Sequence, residues 1–251
     1  MAYGTFRDDV RAGKRLIGTF VKTADHTVVE VLAGAGLDFI CLDGEHAPLD
    51  RARLDASLAV ARALSFPALV RVPAARAEYI LQALDMGAAG VVIPHVDSGV
   101  LAAEMGKLSR FGDGGRGYAG STRGSDWGAG GMPGVLSRGG DPVIFVQIEE
   151  PAGVDDADAI ASAPGVDGVF LGPADLTVGY GLTEMGSDKL DAAYAKVGAA
   201  VKSAGRAFAT FAPTAADVPR LEAHGVSVVF VASDQTWMAA GARAVVDAFK
   251  A

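Results

Sequence analysis

Val143-Ile144-Phe145-Val146-Gln147-Ile148-Glu149-Glu150 reads as a buried strand ending in acid, and Gly168-Val169-Phe170-Leu171-Gly172-Pro173-Ala174-Asp175 repeats the form one unit later. Nearly continuous apolar runs of this kind suit parallel strands covered on both faces. Working outward, further runs occupy Leu16 to Val21, Phe39 to Leu42, Ala68 to Arg71, Gly90 to Ile93, Ala207 to Phe211 and Val226 to Val231. The stretches between them are long enough for crossover helices. Eight such units predict an α/β fold closed into a (β/α)8 (TIM) barrel. A doubly wound open sheet would more often carry a Gly-rich turn after its first strand, where Thr23-Ala24-Asp25-His26 stands instead.

The chain has 251 residues, half of them hydrophobic, enough for one barrel domain spanning 1–251 with a large core. Lys and Arg number 22 against 30 Asp and Glu, a formal charge of −8 that disfavours nucleic acid and anionic membrane surfaces. The polar start, Met1 to Arg15, lacks the apolar core of a signal peptide and no apolar run reaches membrane-spanning length, so a cytoplasmic protein is expected. Cys41, the one cysteine, rules out an intrachain disulfide or a thiolate zinc cluster and reads as a small core hydrophobe. Asp50 is suited to cap the helix running to Leu64, and Gly87 to stop the one beginning near Arg76. Around 111–141 the chain is crowded with glycine and too long for a passive connection, which suggests a lid of the βα type or an oligomer contact.

Barrels of this kind place chemistry at the carboxyl ends of their strands. The residues found there are Asp43-Gly44-Glu45-His46, Arg71, His95, Gln147 with Glu149, and Gly172-Pro173-Ala174-Asp175. Gln147 and Glu149 lie two apart and share a face, so Glu149 can reach a central metal. Pro173 opens a helix whose first N–H groups, including that of Ala174, face an anion such as a substrate carboxylate. Two protein carboxylates, Glu149 and Asp175, with waters make a hard oxygen site for Mg²⁺ or Mn²⁺. Arg71 offers a planar cation for carboxylate or enolate oxygen, and His46 an imidazole that exchanges protons near neutral pH. Plainer readings stand beside these: an Asp-Gly turn at 43–44, a helix-dipole partner in Asp175, a solvated strand end at Glu149-Glu150, a surface ion pair at Arg71. His95 reads as an outlying contributor at most, and His26 and His224 receive no role.

Taken together and in order, Asp43-Gly44-Glu45-His46-Ala47-Pro48, Arg71-Val72-Pro73, Leu84-Asp85-Met86-Gly87-Ala88, Gln147-Ile148-Glu149 and Gly168 to Leu176 resemble the HpcH/HpaI aldolase family over nearly the whole chain. The resemblance implies a barrel with an exchanged terminal helix in a homo-oligomer, a hexamer in its familiar form. It implies Glu149 and Asp175 as metal ligands; Gln147, Gly172, Pro173, Ala174 and Asp175 around the oxo acid; and Arg71 as transition-state stabiliser. It further implies His46 as general acid/base with Asp85 raising its basicity, while Asp43 and Glu45 position water or the aldehyde. Asp85 falls at the end of a helix that points to the opposite rim, so a partner subunit or an unusual helix path is needed to bring it to His46. Arg116-Gly117 fits the family, but the Gly-rich stretch after it is individual and leaves the aldehyde open.

The implied reaction is class II aldol cleavage and addition between pyruvate, or a related 2-oxo acid, and an aldehyde, through a metal-stabilised enolate. A Schiff-base aldolase would need Lys22, the one well-placed lysine. A non-catalytic carboxylate-binding barrel or scaffold is the alternative of another class.

Overall fold

The computed structural model describes residues 5–139 and 141–251. Eight parallel strands close in sequence order: β1 Leu16–Val21, β2 Phe39–Asp43, β3 Ala68–Arg71, β4 Gly90–Ile93, β5 Val143–Ile148, β6 Gly168–Leu171, β7 Ala207–Ala212 and β8 Val228–Ser233. The barrel expected from the apolar runs is therefore present, with β8 displaced by two residues toward its carboxyl end.

Period-two alternation sorts each strand between two cores. Ile40 and Leu42 face the helices, whereas Phe39 and Cys41 belong to the inner cluster with Phe20, Leu69, Val92, Phe145, Phe170 and Phe230. Phe230 meets Phe39 at 4.8 Å and Phe170 at 4.9 Å, both edge-on, so aromatic rings fill the barrel axis. The same parity carries the inner face upward to Asp43 on β2, Arg71 on β3, and Gln147 and then Glu149 on and beyond β5. That single geometric rule assembles the polar residues at one end.

The other end is plugged. Helix Phe6–Arg11 lies across it, with Phe6 packed 5.7 Å from Phe39. Asp167, fully buried, accepts from Arg11 Nε at 2.8 Å, Arg110 Nη2 at 2.8 Å and the Ile144 amide at 3.0 Å. The Gly-rich segment also lies on this side, because it joins helix Gly99–Leu108 to the start of β5. It is not wholly irregular, since it contains helix Gly131–Arg138. The expectation of a lid is corrected by this topology: a connection at the amino ends of the strands does not cover its own chain's opposite mouth.

Helix Asp234–Lys250 leaves the barrel. Asp234 is anchored by accepting from the Lys22 and Thr23 amides at 2.8 and 3.0 Å, but residues 235–251 are all exposed, Trp237, Met238, Val245, Val246 and Phe249 among them. Leu16, Ile17, Val218 and Val229 line a cavity of about 280 Å³ beside the first residues of β1 and β8. Among the described residues, no helix is long and apolar enough to cross a membrane.

Candidate active site

Asp43 and Arg71 are register partners on adjacent strands, and their side chains meet at the top of the inner face. Arg71 donates from Nε to Asp43 Oδ1 at 2.9 Å and from Nη2 to Oδ2 at 2.7 Å, a bidentate pair with both residues buried. Its guanidinium lies 4.5 Å from the centre of the Phe20 ring. Burial alone would raise the Asp43 pKa, but the Arg71 bonds and charge outweigh it and hold the carboxyl below its ordinary value. Asp43 Oδ1 also accepts from the amides of Glu45 and His46 at 3.2 and 3.1 Å, which fixes the turn carrying both side chains. The Asp-Gly turn and the site are thus one structure. Gly44 is required there, since a Cβ would fall 2.7 Å from the Arg71 carbonyl oxygen.

Across the mouth, Glu149 is 2% exposed and accepts from the His95 amide at 2.7 Å and from Gln147 Nε2. Gly172 permits this arrangement, because a Cβ at that position would lie 2.9 Å from the Glu149 Cβ. The Glu45 side chain, 7% exposed, lies between the two halves of the site. Its Oε2 is 3.3 Å from Arg71 Nε and 3.6 Å from His46 Nε2, and its Oε1 is 3.4 Å from His95 Nε2. Among the described residues Glu45 Oε2, Gln147 Oε1 and Glu150 Oε2 are buried acceptors without a hydrogen-bond donor. Glu45, His95 and Glu149 offer ligand atoms within 4.8 Å of one another. Orphaned acceptors beside clustered carboxylates are what a cation satisfies, so the residues present fit a divalent metal.

Asp175 stands exposed in the first turn of helix Pro173–Gly179, with Pro173 at its start. Its charge is felt by both Glu149 and His46. His46 projects half-exposed over the turn; burial first, and the Arg71 charge next, lower its pKa. Lys22 Nζ sits 3.3 Å from Asp43 Oδ2, where it balances a buried carboxylate. Asp85 is elsewhere: burial raises its pKa, and the charges acting on it are those of Arg116 and Arg51, whereas His46 feels Arg71, Asp43, Lys22 and Asp175. Within one chain the two are not brought together. Arg116, stacked 4.1 Å over Phe111, is itself buried, and its Nε and Nη1 have no hydrogen-bond partner among the described residues.

His95, read from the sequence as an outlying contributor, lies among Glu45, Glu149 and Glu150, and Phe20 and Glu150 were not singled out. Position after an apolar run was the available signal for His95 and Glu150, whereas nothing in the sequence marks Phe20 as the ring beneath Arg71.

Burial, followed by repulsion from Glu149, raises Glu45 from an ordinary 4.5 to about 7. The folded state then holds a proton that the unfolded chain releases, so stability from this group is present below about 4.5 and lost as pH rises through 7. For metal-free protein, the melting temperature should fall across that window more steeply in the wild type than in Glu45→Gln. Equal slopes would remove Glu45 as the cause.

A family model described as HpcH/HpaI aldolase/citrate lyase matches residues 16–240. The hydroxypyruvate/pyruvate aldolase of Roseovarius nubinhibens is 36% identical, over 95% of this chain and 94% of its own length. The 5-keto-4-deoxy-D-glucarate aldolase of Klebsiella pneumoniae is 34% identical, over 98% and 96% respectively. The crystal structure of a family protein from Burkholderia cenocepacia superposes with a TM-score of 0.92 at 31% identity, covering 98% of this chain and 99% of that one. A closed parallel barrel, polar residues gathered at its carboxyl end and relatives matched along almost their whole length agree: the chain belongs to the HpcH/HpaI aldolase/citrate lyase family and is a carbon–carbon lyase.

Proposed function

We propose that this enzyme catalyses reversible aldol cleavage and addition between pyruvate, or a related 2-oxo acid, and an aldehyde, with Mg²⁺ or Mn²⁺ held by Glu149 and Asp175. The observation carrying this reading is the convergence of buried Arg71 with donor-less acceptors on Glu45 and Gln147 beside Glu149. The relatives named above act on small oxo acids by their names, which supports the substrate class.

A divalent ion held by Glu149 and Asp175 would supply Lewis-acid chemistry to the bound oxo acid. The protein does the rest. First-turn amides of Ala174 and Asp175, which lack intrahelical acceptors, receive the substrate carboxylate. Gln147 holds Glu149 through Nε2, and its buried Oε1 has no hydrogen-bond donor among the described residues. Arg71 spends Nε and Nη2 on Asp43, and the rest of its guanidinium stabilises the charge that develops on the enolate oxygen. His46, favoured as neutral imidazole by burial and Arg71, accepts a methyl proton and later returns one to the alkoxide. Glu45 orients water or the aldehyde beside it.

The working unit in this proposal is a homo-oligomer exchanging its terminal helix, in which Asp85 of a neighbour approaches His46. The exposed apolar face of helix Asp234–Lys250 and the cavity beside the first residues of β1 and β8 support it. A chain that sediments as a monomer at micromolar concentration contradicts this part.

The test is exchange of pyruvate methyl protons in deuterated water. Exchange should stop with chelator and return with Mg²⁺ or Mn²⁺, and borohydride with pyruvate should leave Lys22 unmodified. Metal-independent exchange with Lys22 trapped would replace the mechanism by a Schiff base. Pyruvate binding without exchange would make the barrel a binding module.

A further inference from the structure

At the amino ends of β4 and β5, on the side of the barrel opposite the polar mouth, helix Phe6–Arg11 and the Gly-rich segment line a cavity of about 360 Å³. Its wall is apolar where Phe6, Leu84, Phe111 and Val135 face it. Its charges do not balance: Arg7, Arg62, Arg116 and Arg138 line it against Asp8, Asp126 and Asp141. Two of these arginines are engaged, Arg62 Nη2 with Asp126 at 2.5 Å and Arg138 Nη2 with the Ala129 carbonyl at 2.7 Å. Arg116 and Arg7 keep donors in reserve. Arg116 is 8% exposed, yet its Nε and Nη1 have no hydrogen-bond partner among the described residues, and the Nε of Arg7 is likewise buried without one.

Local structure holds Arg116 in place. Its amide donates to the Arg110 carbonyl at 2.7 Å, and its guanidinium lies 4.1 Å from the centre of the Phe111 ring. A buried guanidinium fixed in this way carries a cost while its donors go unmet, because buried polar groups are normally paired. Burial lowers its pKa to about 10, which still leaves it charged at neutral pH; Asp85 opposes that shift through space and Arg110 adds to it. Arg7 is held more loosely, by Nη2 to Asp167 Oδ1 at 3.3 Å. An oxyanion is the partner that such donors lack, and the volume leaves room for a small organic body against the apolar wall.

We propose that this cavity is a second ligand site, for a small organic anion whose carboxylate or phosphate group is bound by Arg116 and Arg7 and whose body packs on Phe111 and Leu84. The site is separate from the one at which the 2-oxo acid reacts. Arg71 ends β3 at the mouth, whereas the cavity is lined by residues that precede β4 and β5, at the other end of the barrel. Its occupancy therefore requires no divalent ion and does not rest on the proposed reaction.

Calorimetric titration of the metal-free, full-length protein with inorganic phosphate and, separately, with malonate tests this. The wild type should bind at least one of the two, and Arg116→Gln and Arg7→Gln should each weaken that binding at least about tenfold, as expected when a hydrogen bond to a charged group is lost. Arg7→Gln keeps the test decisive if Arg116→Gln fails to fold, because Asp167 retains Arg11 Nε and Arg110 Nη2, both at 2.8 Å. Tighter binding of phosphate points to a phosphorylated ligand, and tighter binding of malonate to a polycarboxylate. In a crystal of the complex, the bound anion should lie within hydrogen-bond reach of Arg116. Affinity undiminished in both variants, or an anion found at the mouth beside Arg71 instead, overturns the proposal. So does a wild type that binds neither anion at millimolar concentration, since ordered water then satisfies the buried donors.

Discussion

Glu149→Gln should lower kcat for aldol cleavage by on the order of 10³-fold or more while leaving the metal-free fold intact. A Lewis acid contributes several kcal/mol of charge stabilisation, and each 1.36 kcal/mol is a factor of about ten in rate. The substitution keeps the side-chain volume but removes the negative charge and replaces one acceptor oxygen by a donor. That donor would face the Gln147 amide or the His95 N–H, both of which now donate to Glu149. Stability should move the other way. Burial penalises the Glu149 charge and Asp175 repels it, so a neutral amide relieves a cost present in the metal-free protein. The two readouts together are diagnostic: melting temperature without metal equal to or above wild type, stabilisation by Mn²⁺ lost, turnover lost. A Glu149→Gln enzyme that keeps more than a tenth of wild-type kcat with undiminished Mn²⁺ binding would move the ion elsewhere.

Why the strands were legible and parts of the site were not follows from the range of the forces involved. A doubly covered parallel strand must be apolar along its length, so runs such as Val143 to Ile148 announce themselves, and period two then dictates that Gln147 shares a face with Phe145. Strand ends are set by hydrogen bonding across neighbours, which is why β2 extends to Asp43 and β8 starts at Val228 rather than Val226. The pairing of Asp43 with Arg71 is a register fact, invisible until Leu42 is aligned with Val70. His95 meets Glu149 and Glu150 from a left-handed backbone, φ 57°, which its place after an apolar run does not announce. Asp85 shows the limit of reading motifs alone: its helix ends at the rim opposite His46, where the charges acting on it are those of Arg116 and Arg51. The Gly-rich segment was read by composition, but its role follows from order. It comes after a helix and before a strand, which fixes the face it occupies.

Arg71 separates structure from chemistry if two substitutions are compared. Arg71→Ala strips the buried Asp43 of its bidentate partner and leaves Lys22 at 3.3 Å as the remaining cation in contact. Breaking a buried pair from one side typically costs about 3–5 kcal/mol, so this variant should be strongly destabilised or fail to accumulate, and its inactivity would teach little. Arg71→Lys keeps the charge near Asp43 but loses the planar fork and the stack over Phe20. Its melting temperature should fall less, while kcat drops by about 10²–10³, the range seen when one donor to a developing oxyanion is removed. KM for pyruvate should change little, because the lost interaction strengthens only as the enolate forms. Asp43→Asn completes the comparison. It preserves shape yet removes the charge that holds the guanidinium, so kcat should fall while pyruvate binding survives, and combining it with Arg71→Lys should cost less than the sum of the two. Near-normal kcat in Arg71→Lys, accompanied by lost stability, would reduce the Arg71–Asp43 pair to a brace between β2 and β3 and transfer enolate stabilisation to the ion and the first-turn amides alone.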